Sequence, residues 1–493
     1  MSGQDVRDGG TLRPVSSAPS RSRETVPPSR DITLDKTLAW CSFVVVCLVV
    51  LVSPWFFGAW EMWWFWPFTT LLFVASLLCS IRVVLGLGIL KKHRLQFSPA
   101  SIVAACSSAV FLAYAFVRMR QAPVFMDAER SFLLFFTPFI LALLIVFSFN
   151  RTQLRTMYIL VLLDLCALGL YGIINHWLTG SRMVLWVTTE YTQYAGRATG
   201  SYFCPDHFSG IMELLLALAL GLLLGAGTDG LPGADKIGSR AYRILAAVLV
   251  PISICAVWLT QSRGGGLTVF IVLAISVLLW TARLQPATRW RIRLGCIVVF
   301  IGSLTLLWSS SSVYMARFKE LFPFDPSRGV SFHEAAQQVV PIIKSNVRYN
   351  MYAGALRAWR DSPIIGIGPG MHQHLWFHYA ASTDGDREKG IWPSRPNYDF
   401  HSYEVHNDWI QLLEEYGLIG AILFLAALCS IVVVLLRGFR RAIAQPIVLG
   451  ALLAITCMAL HSLVDFNLQI PATTWLFAVI IAIPFAWTRR SGT

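Results

Sequence analysis

Four stretches of this chain combine residue types that hold anions or move protons. In TQSRGGG (260–266), Arg263 stands before Gly264, Gly265 and Gly266 inside otherwise apolar sequence. A lipid-facing charge there is costly. A helix N-terminus offers unpaired N–H groups and partial positive charge, glycines let an anion approach the backbone, and arginine adds a bidentate fork for phosphate. The bland alternative is a tight membrane hairpin whose arginine snorkels to the interface. Both remain open from this stretch alone.

In SNVRYNMYAGALRAWRDSP (345–363), helical spacing runs from about Val347 to Arg360 and is stopped by Pro363. At about 100° per residue, Arg348, Tyr352, Ala355 and Trp359 share one face and Arg357 lies opposite. Arg348 is therefore the arginine to turn inward, with a solvated interfacial arginine as the alternative. In HSYEVHNDWIQLLEEYGLIG (401–420), His406 and Asn407 open a helix. A neutral histidine there could act as a general base, and Asn407 or Asp408 as a simple N-cap. In MALHSLVDFNLQIP (458–471), His461 and Asp465 are four apart, so they are expected on one helix face, as an oriented imidazole or as an anchor of the helix end.

GIGPG (366–370) lacks the Lys-Ser/Thr of a phosphate-binding loop and reads as a sharp turn. His372, His374 and His378 invite a metal, but no second ligand cluster has zinc spacing, so no metal site is assigned. Asp164 and Glu213 fall within apolar spans and are expected to face the protein interior.

The elements that must position these residues are membrane helices. Of 493 residues 56% are hydrophobic and only 14% charged, against about 25% charged in soluble domains. Apolar runs long enough to cross a bilayer give twelve spans: about 37–57, 63–90, 98–117, 131–149, 156–178, 208–227, 242–262, 265–282, 292–309, 412–436, 446–464 and 471–487. Pro138 and Pro251 fall inside spans, which membrane helices tolerate. The fold expected is an all-α polytopic membrane protein. Its spans 1–9 occupy 37–309 and spans 10–12 occupy 412–487, with a large, partly helical loop at 310–411 between them. Residues 1–36, rich in Ser, Arg and Pro, read as a disordered tail, and 488–493 as a short second tail.

Alternate connections carry Lys91, Lys92, Arg94, Arg151, Arg155, Lys236, Arg240, Arg243, Arg283, Arg289, Arg291, Arg293, Arg437, Arg440 and Arg441. The short connections on the other side carry fewer: Arg118, Arg120, Arg130, Arg182, Arg197 and Arg263. Positive-inside bias puts both termini in the cytoplasm and all four stretches on the outer face. The net charge of +13 is then a topology signal, and nucleic acid is not implied. Nine of the ten cysteines lie in apolar spans as small hydrophobes, and Cys204 sits near a loop with no obvious partner, so no disulfide framework is expected.

Taken in order, TQSRGGG, the Arg348-to-Pro363 helix running into GIGPG, HNDWIQLLEEYGLIG and HSLVDFNLQIPA resemble the bacterial O-antigen ligase and O-antigen polymerase superfamily of membrane glycosyltransferases. ATGSYFCPDHFSG (198–210) looks like the family's Gly-Thr-Phe-x-Asn-Pro-Asn-x-Phe-Ala segment, with Asp206 in the second Asn position, His207 after it, and Ser201 and Tyr202 in place of Thr-Phe. The resemblance covers about residues 190–487. It implies transfer of a glycan from undecaprenyl pyrophosphate to an acceptor hydroxyl (lipid A-core, a growing polysaccharide or another acceptor) at the periplasmic face of the bacterial inner membrane, without metal or nucleotide cofactor. By the same resemblance Arg263 and Arg348 correspond to the family's arginines, and His406 to its histidine before the Asn. Gly264, Gly265, Asn407, His461, Asp465, Asp206 and His207 are the supporting candidates. No carboxylate pair of the retaining type is recognisable, so displacement with inversion is expected. A transporter or flippase for lipid-linked or anionic substrates is the competing reading. Against it, the two halves show no evident repeat, and the candidate charges gather at one surface and not at the midplane.

Overall fold

The computed structural model describes residues 30–87, 98–188, 194–225, 236–282, 284–309, 320, 323–324, 330–380, 402–440 and 445–488. Apart from one two-stranded ribbon, β1 (Met183–Val184) with β2 (Val187–Thr188), every regular element among these residues is helical. In chain order the first nine helices are α1 (Arg30–Val52), α2 (Met62–Val84), α3 (Pro99–Gln121), α4 (Phe125–Ser148), α5 (Arg151–Thr179), α6 (Pro205–Leu224), α7 (Lys236–Thr260), α8 (Arg263–Thr281) and α9 (Pro286–Ser309). Three helices follow outside the bundle of spans: α10 (Phe332–Ser345), α11 (Val347–Asp361) and α12 (His372–Ala380). The last three are α13 (Asp408–Arg440), α14 (Gln445–His461) and α15 (Pro471–Thr488).

Nine of the described helices are long and apolar enough to cross a membrane, and the segments 446–461 and 471–487 are shorter apolar helices. Eleven of the twelve expected spans fall on helices of this set; the ninth falls on α9, which is not among them. Boundaries differ where polar residues extend a helix: α4 starts at Phe125, six residues before the expected span, with Asp127 in its first turn. The helix α1 begins at Arg30, inside the stretch read as a tail; residues 1–29 and 489–493 lie outside the described set, as does 381–401 of the long loop. Large apolar side chains such as Val44, Leu77, Val103 and Ile174 point outward from the bundle. A water-exposed surface does not carry so many; this is a multi-pass membrane protein.

The centre of the bundle is α6, in which every residue from Pro205 to Leu222 is buried. It packs against α7, α14 and α8, while α13 pairs with α3 and α15 with α4. Small residues set the closest crossing. A Cβ on Gly221 would stand 2.6 Å from the Gly450 backbone, so α6 and α14 approach main chain to main chain. Polar residues within the spans find internal partners: Trp475 Nε1 donates to Thr137 Oγ1 (2.8 Å) and Trp55 Nε1 to Asp164 Oδ1 (2.8 Å). Asp164 thus sits inward, as does Glu213, whose side chain is wholly buried.

The GIGPG turn anchors α11 and α12 to the bundle. Gly366, Gly368 and Gly370 all have positive φ (74°, 115° and 67°). Ile367 and Gly368 N–H groups donate to the Glu414 and Glu415 carbonyls (2.9 and 3.0 Å). In return α13 kinks at Gly417 (φ 66°), freeing Leu418 and Ile419 N–H to reach the Pro363 and Ile364 carbonyls (2.9 and 3.1 Å). The two glycines face each other so closely that a Cβ on either would overlap the other segment's backbone. From α3, Arg118 closes the turn, donating through Nε to the Ile365 carbonyl and through Nη2 to that of Gly366 (both 3.0 Å).

Candidate active site

The start of α6, the end of α7, the start of α8, the start of α11, the start of α13 and the turn after α14 converge at one end of the bundle. All but the start of α13 line a polar cleft of about 90 Å³, its lining residues including Asp206, Arg263, Gly264, Asn346, Arg348 and His461.

Arg263 is the first residue of α8. Gln261 takes a left-handed conformation (φ 52°) to turn the chain, and Ser262 caps the helix, its Oγ accepting from Gly265 N–H at 3.2 Å. Arg263 Nη1 lies 3.9 Å from Glu320 Oε2, a carboxylate that is itself largely exposed. The glycines serve packing more than the anion approach expected of them. A Cβ on Gly265 would overlap Ser209 Oγ on α6, and one on Gly264 would stand 2.5 Å from Val464 Cγ2. Of the two, Gly264 also lines the cleft.

Arg348 is the second residue of α11, behind the N-cap Asn346, whose Oδ1 accepts from the Arg348 N–H (2.9 Å). Its guanidinium donates to the Val464 carbonyl (2.6 Å) and to Asp206 Oδ2 (3.3 Å). The other Asp206 oxygen accepts from Arg197 Nη2 (2.9 Å), and Arg197 Nε donates to the Thr260 carbonyl at the end of α7 (2.7 Å). One carboxylate therefore ties two arginines and three elements together. Burial by itself would lower the Arg348 pKa, but Asp206 and Asp465 outweigh it and raise it further, so this guanidinium is always charged.

His406 precedes α13 in a left-handed conformation (φ 57°), uncommon for a residue with a side chain. Its carbonyl accepts from Tyr352 Oη (2.9 Å), and its ring meets Phe466 edge-on at 4.5 Å. Phe466 meets His207 the same way (4.5 Å). His406 Nδ1 lies 3.1 Å from Asp465 Oδ1. Burial raises the Asp465 pKa, but the His406 hydrogen bond and the nearby His207 and Arg348 bring it below the usual carboxylate range. Asn407 is the N-cap, its Oδ1 accepting from Trp409 and Ile410 N–H (3.1 and 3.0 Å), while its Nδ2 donates to the Leu463 carbonyl (2.7 Å). Asp408 accepts from Ser462 Oγ (2.7 Å) and from Leu468 N–H (3.1 Å).

His461 and Asp465 face each other across the end of a helix, the Asp465 N–H donating to the His461 carbonyl at 3.0 Å. The helix α14 ends at His461, and a turn carries Asp465 back so that the closest approach of their side chains is 3.9 Å. His461 instead uses Nδ1 on Glu213 Oε1 of α6 (2.7 Å). His207 Nε2 is likewise 3.9 Å from Asp465 Oδ1. The three histidines after GIGPG go separate ways: His372 to Glu414 and Ser402, His374 to Asp127, and His378 against Tyr379. Among the described residues no group of three His, Cys, Asp or Glu side chains is placed to hold a metal ion.

Sequence reasoning missed Arg197 and Asn346 as members of this site, and it did not connect Glu213 with His461. Arg197 and Asn346 stand in short polar segments with no motif of their own. The unusual cost of a carboxylate within a span did flag Glu213, but nothing in the local pattern names its partner.

Fold and site together define a polytopic helical membrane protein with an arginine-lined polar cleft at one end of its bundle. Residues 247–425 match the family model described as O-Antigen ligase, a segment holding Arg263, Arg348 and His406. Over 255 residues the chain is 24% identical to the teichuronic acid biosynthesis protein TuaE of Bacillus subtilis (strain 168). That alignment takes in 50% of this chain and 46% of the relative, so the chain spans about half the length of the curated relative it matches. Both matches support the O-antigen ligase and polymerase superfamily for this chain, as its four motifs anticipate.

Proposed function

We propose that this protein is a membrane glycosyltransferase of the O-antigen ligase type. It moves a glycan from undecaprenyl pyrophosphate to an acceptor hydroxyl on lipid A-core, on a growing polysaccharide or on another acceptor. The observation that carries the reading is that Arg263 and Arg348, from helices far apart in sequence, line one cleft. Beside it His406 rests on Asp465, the residue after cleft-lining Val464.

The chemistry follows from charge. Two fixed guanidinium groups bind the pyrophosphate bidentately and stabilise the negative charge that grows as it leaves, a task other enzymes give to magnesium. The acceptor oxygen attacks the anomeric carbon, its proton passes to His406 Nε2, and the bond from the anomeric carbon to the pyrophosphate oxygen breaks with its electron pair on the leaving group. Asp465 holds the opposite ring nitrogen, fixing the tautomer and stabilising the imidazolium. Direct displacement from the face opposite the leaving group inverts the anomeric centre. The distribution of basic residues supports cytoplasmic termini and a cleft opening to the periplasmic side of the inner membrane.

The deciding experiment is transfer in vitro from purified undecaprenyl-pyrophosphate glycan to defined acceptors, with wild type, Arg263→Ala, Arg348→Ala and His406→Ala. Glycosidic product from wild type, lost in each folded variant and of inverted configuration, supports the reading. Full activity in all three variants overturns the site, and movement of the lipid-linked glycan across the bilayer without product overturns the enzyme.

A further inference from the structure

We propose that His461, as an imidazolium paired with Glu213, is a third cationic contact for the donor's pyrophosphate. This rests on the reading of the cleft as a pyrophosphate site.

Glu213 lies midway along α6 with no exposed surface, where an ionised carboxylate needs a counter-charge. Its Oε1 has two partners, His461 Nδ1 at 2.7 Å and Ser209 Oγ at 3.2 Å. Of these, His461 is the group that can carry positive charge. A histidine giving its Nδ1 proton to a buried carboxylate, and charged, still has an Nε2–H to donate. That nitrogen is buried without a hydrogen-bond partner, and its nearest acidic oxygen, Asp465 Oδ2, is 3.9 Å away. The ring itself lines the cleft.

Gly264 packs over this face of the ring. A Cβ at this position would sit 3.4 Å from His461 Nε2 and Cδ2, between the ring and the start of α8.

The charge balance gives the imidazolium its effect. Around His461 stand Asp206, His207 and Glu213 of α6, Asp465 of the following turn with His406 bonded to it, and Arg263, with Arg197 and Arg348 joined through Asp206. The guanidinium groups of Arg197, Arg263 and Arg348 are matched by the carboxylates of Asp206, Asp465 and Glu213. Glu320, 3.9 Å from Arg263, adds a fourth carboxylate at the exposed edge; with neutral imidazoles the cluster then carries excess negative charge, and a protonated His461 cancels it, which an anion site requires. Nε2–H then donates to a pyrophosphate oxygen in the ground state and on departure, and no bond to His461 itself is made or broken.

The test uses full-length protein in nanodiscs, with inorganic pyrophosphate and undecaprenyl pyrophosphate as separate titrants in calorimetry. His461→Gln and Glu213→Gln are each expected to weaken pyrophosphate binding about tenfold or more, and the double variant no further than either alone, since both act through one group. In ¹⁵N-histidine spectra the His461 signal, assigned by its loss in His461→Gln, should carry protons on both ring nitrogens in wild type and on one in Glu213→Gln. The signature reads the charge on His461, the loss of pyrophosphate affinity separates a ligand contact from a purely structural pair, and folding of each variant is checked by thermal unfolding. Loss of binding in Arg263→Ala and Arg348→Ala, with His461→Gln and Glu213→Gln binding like wild type, overturns this inference and leaves the cleft reading standing. A neutral His461 in wild type also overturns it. Failure of wild type to bind either titrant overturns the cleft reading and this inference with it.

Discussion

His406 Nδ1 and Asp465 Oδ1 stand 3.1 Å apart although α13 and α14 separate them along the chain. The contact joins the start of one helix to the turn after another. It is reinforced by Asn407 Nδ2 on the Leu463 carbonyl and by Asp408 N–H on that of Ser462 (2.7 and 3.0 Å). With Nδ1 engaged, Nε2 is the ring nitrogen left for the proton transfer proposed above.

Asp465→Asn is therefore expected to lower kcat by about 10²–10⁴-fold with a much smaller change in the donor KM. The amide can present its NH₂ to Nδ1 and reverse the tautomer. Steady-state transfer assays resolve the two constants; a change in KM alone would assign Asp465 to binding.

Arg348→Lys should behave almost as badly as Arg348→Ala. The guanidinium reaches the Val464 carbonyl with one nitrogen and Asp206 with another; an ammonium cannot span both while offering a fork to phosphate. A loss of about tenfold or more in donor affinity is expected for Lys. Titration with the lipid-linked donor measures it, and wild-type affinity in the lysine variant would show that charge alone suffices.

Gly265→Ala should destabilise the fold by at least about 2 kcal/mol, the scale of an overpacked core, because the new methyl overlaps Ser209 Oγ on α6. Adding Ser209→Gly should recover part of the loss, since the two positions share one volume. Thermal unfolding in detergent reads both, and an undisturbed Gly265→Ala protein would mean that α6 and α8 are not held at this distance.

Stability should also depend on pH through His372, which lies outside the spans. Burial lowers its pKa, but Glu414, hydrogen-bonded to Nδ1 at 2.9 Å, and Glu404 outweigh that and raise it above the ordinary value. A raised folded pKa means protonation favours the fold. The contribution is complete below the unfolded value of about 6.5 and is lost as pH rises through the folded pKa. The gap in melting temperature between wild type and His372→Gln should accordingly shrink as pH is raised from about 6; a gap that widens would reverse the assignment.

Much of this protein is written locally in its sequence. A run of apolar residues long enough to cross a bilayer forms a helix because lipid offers no other partner for its N–H and C=O groups, so the spans could be read without knowing their neighbours. The helix starting at Val347, its end before Pro363 and the sharp turn at GIGPG depend likewise on nearby residues. Those same local patterns also pointed to Arg263, Arg348 and His406, since each stands in a polar stretch beside a helix start.

What only the tertiary structure decided is who meets whom. His461 and Asp465 are four apart, the spacing of one helix face, yet α14 stops between them and sends one to Glu213 and the other to His406. Asp206 joins Arg197 to Arg348, and Gly265 answers Ser209, across helices far apart in the chain. Periodicity records which face of a helix is apolar and carries no record of the rotation and depth at which that face docks. Those are set by the summed packing of the bundle, above all by the small residues that let α6 lie close against α8 and α14.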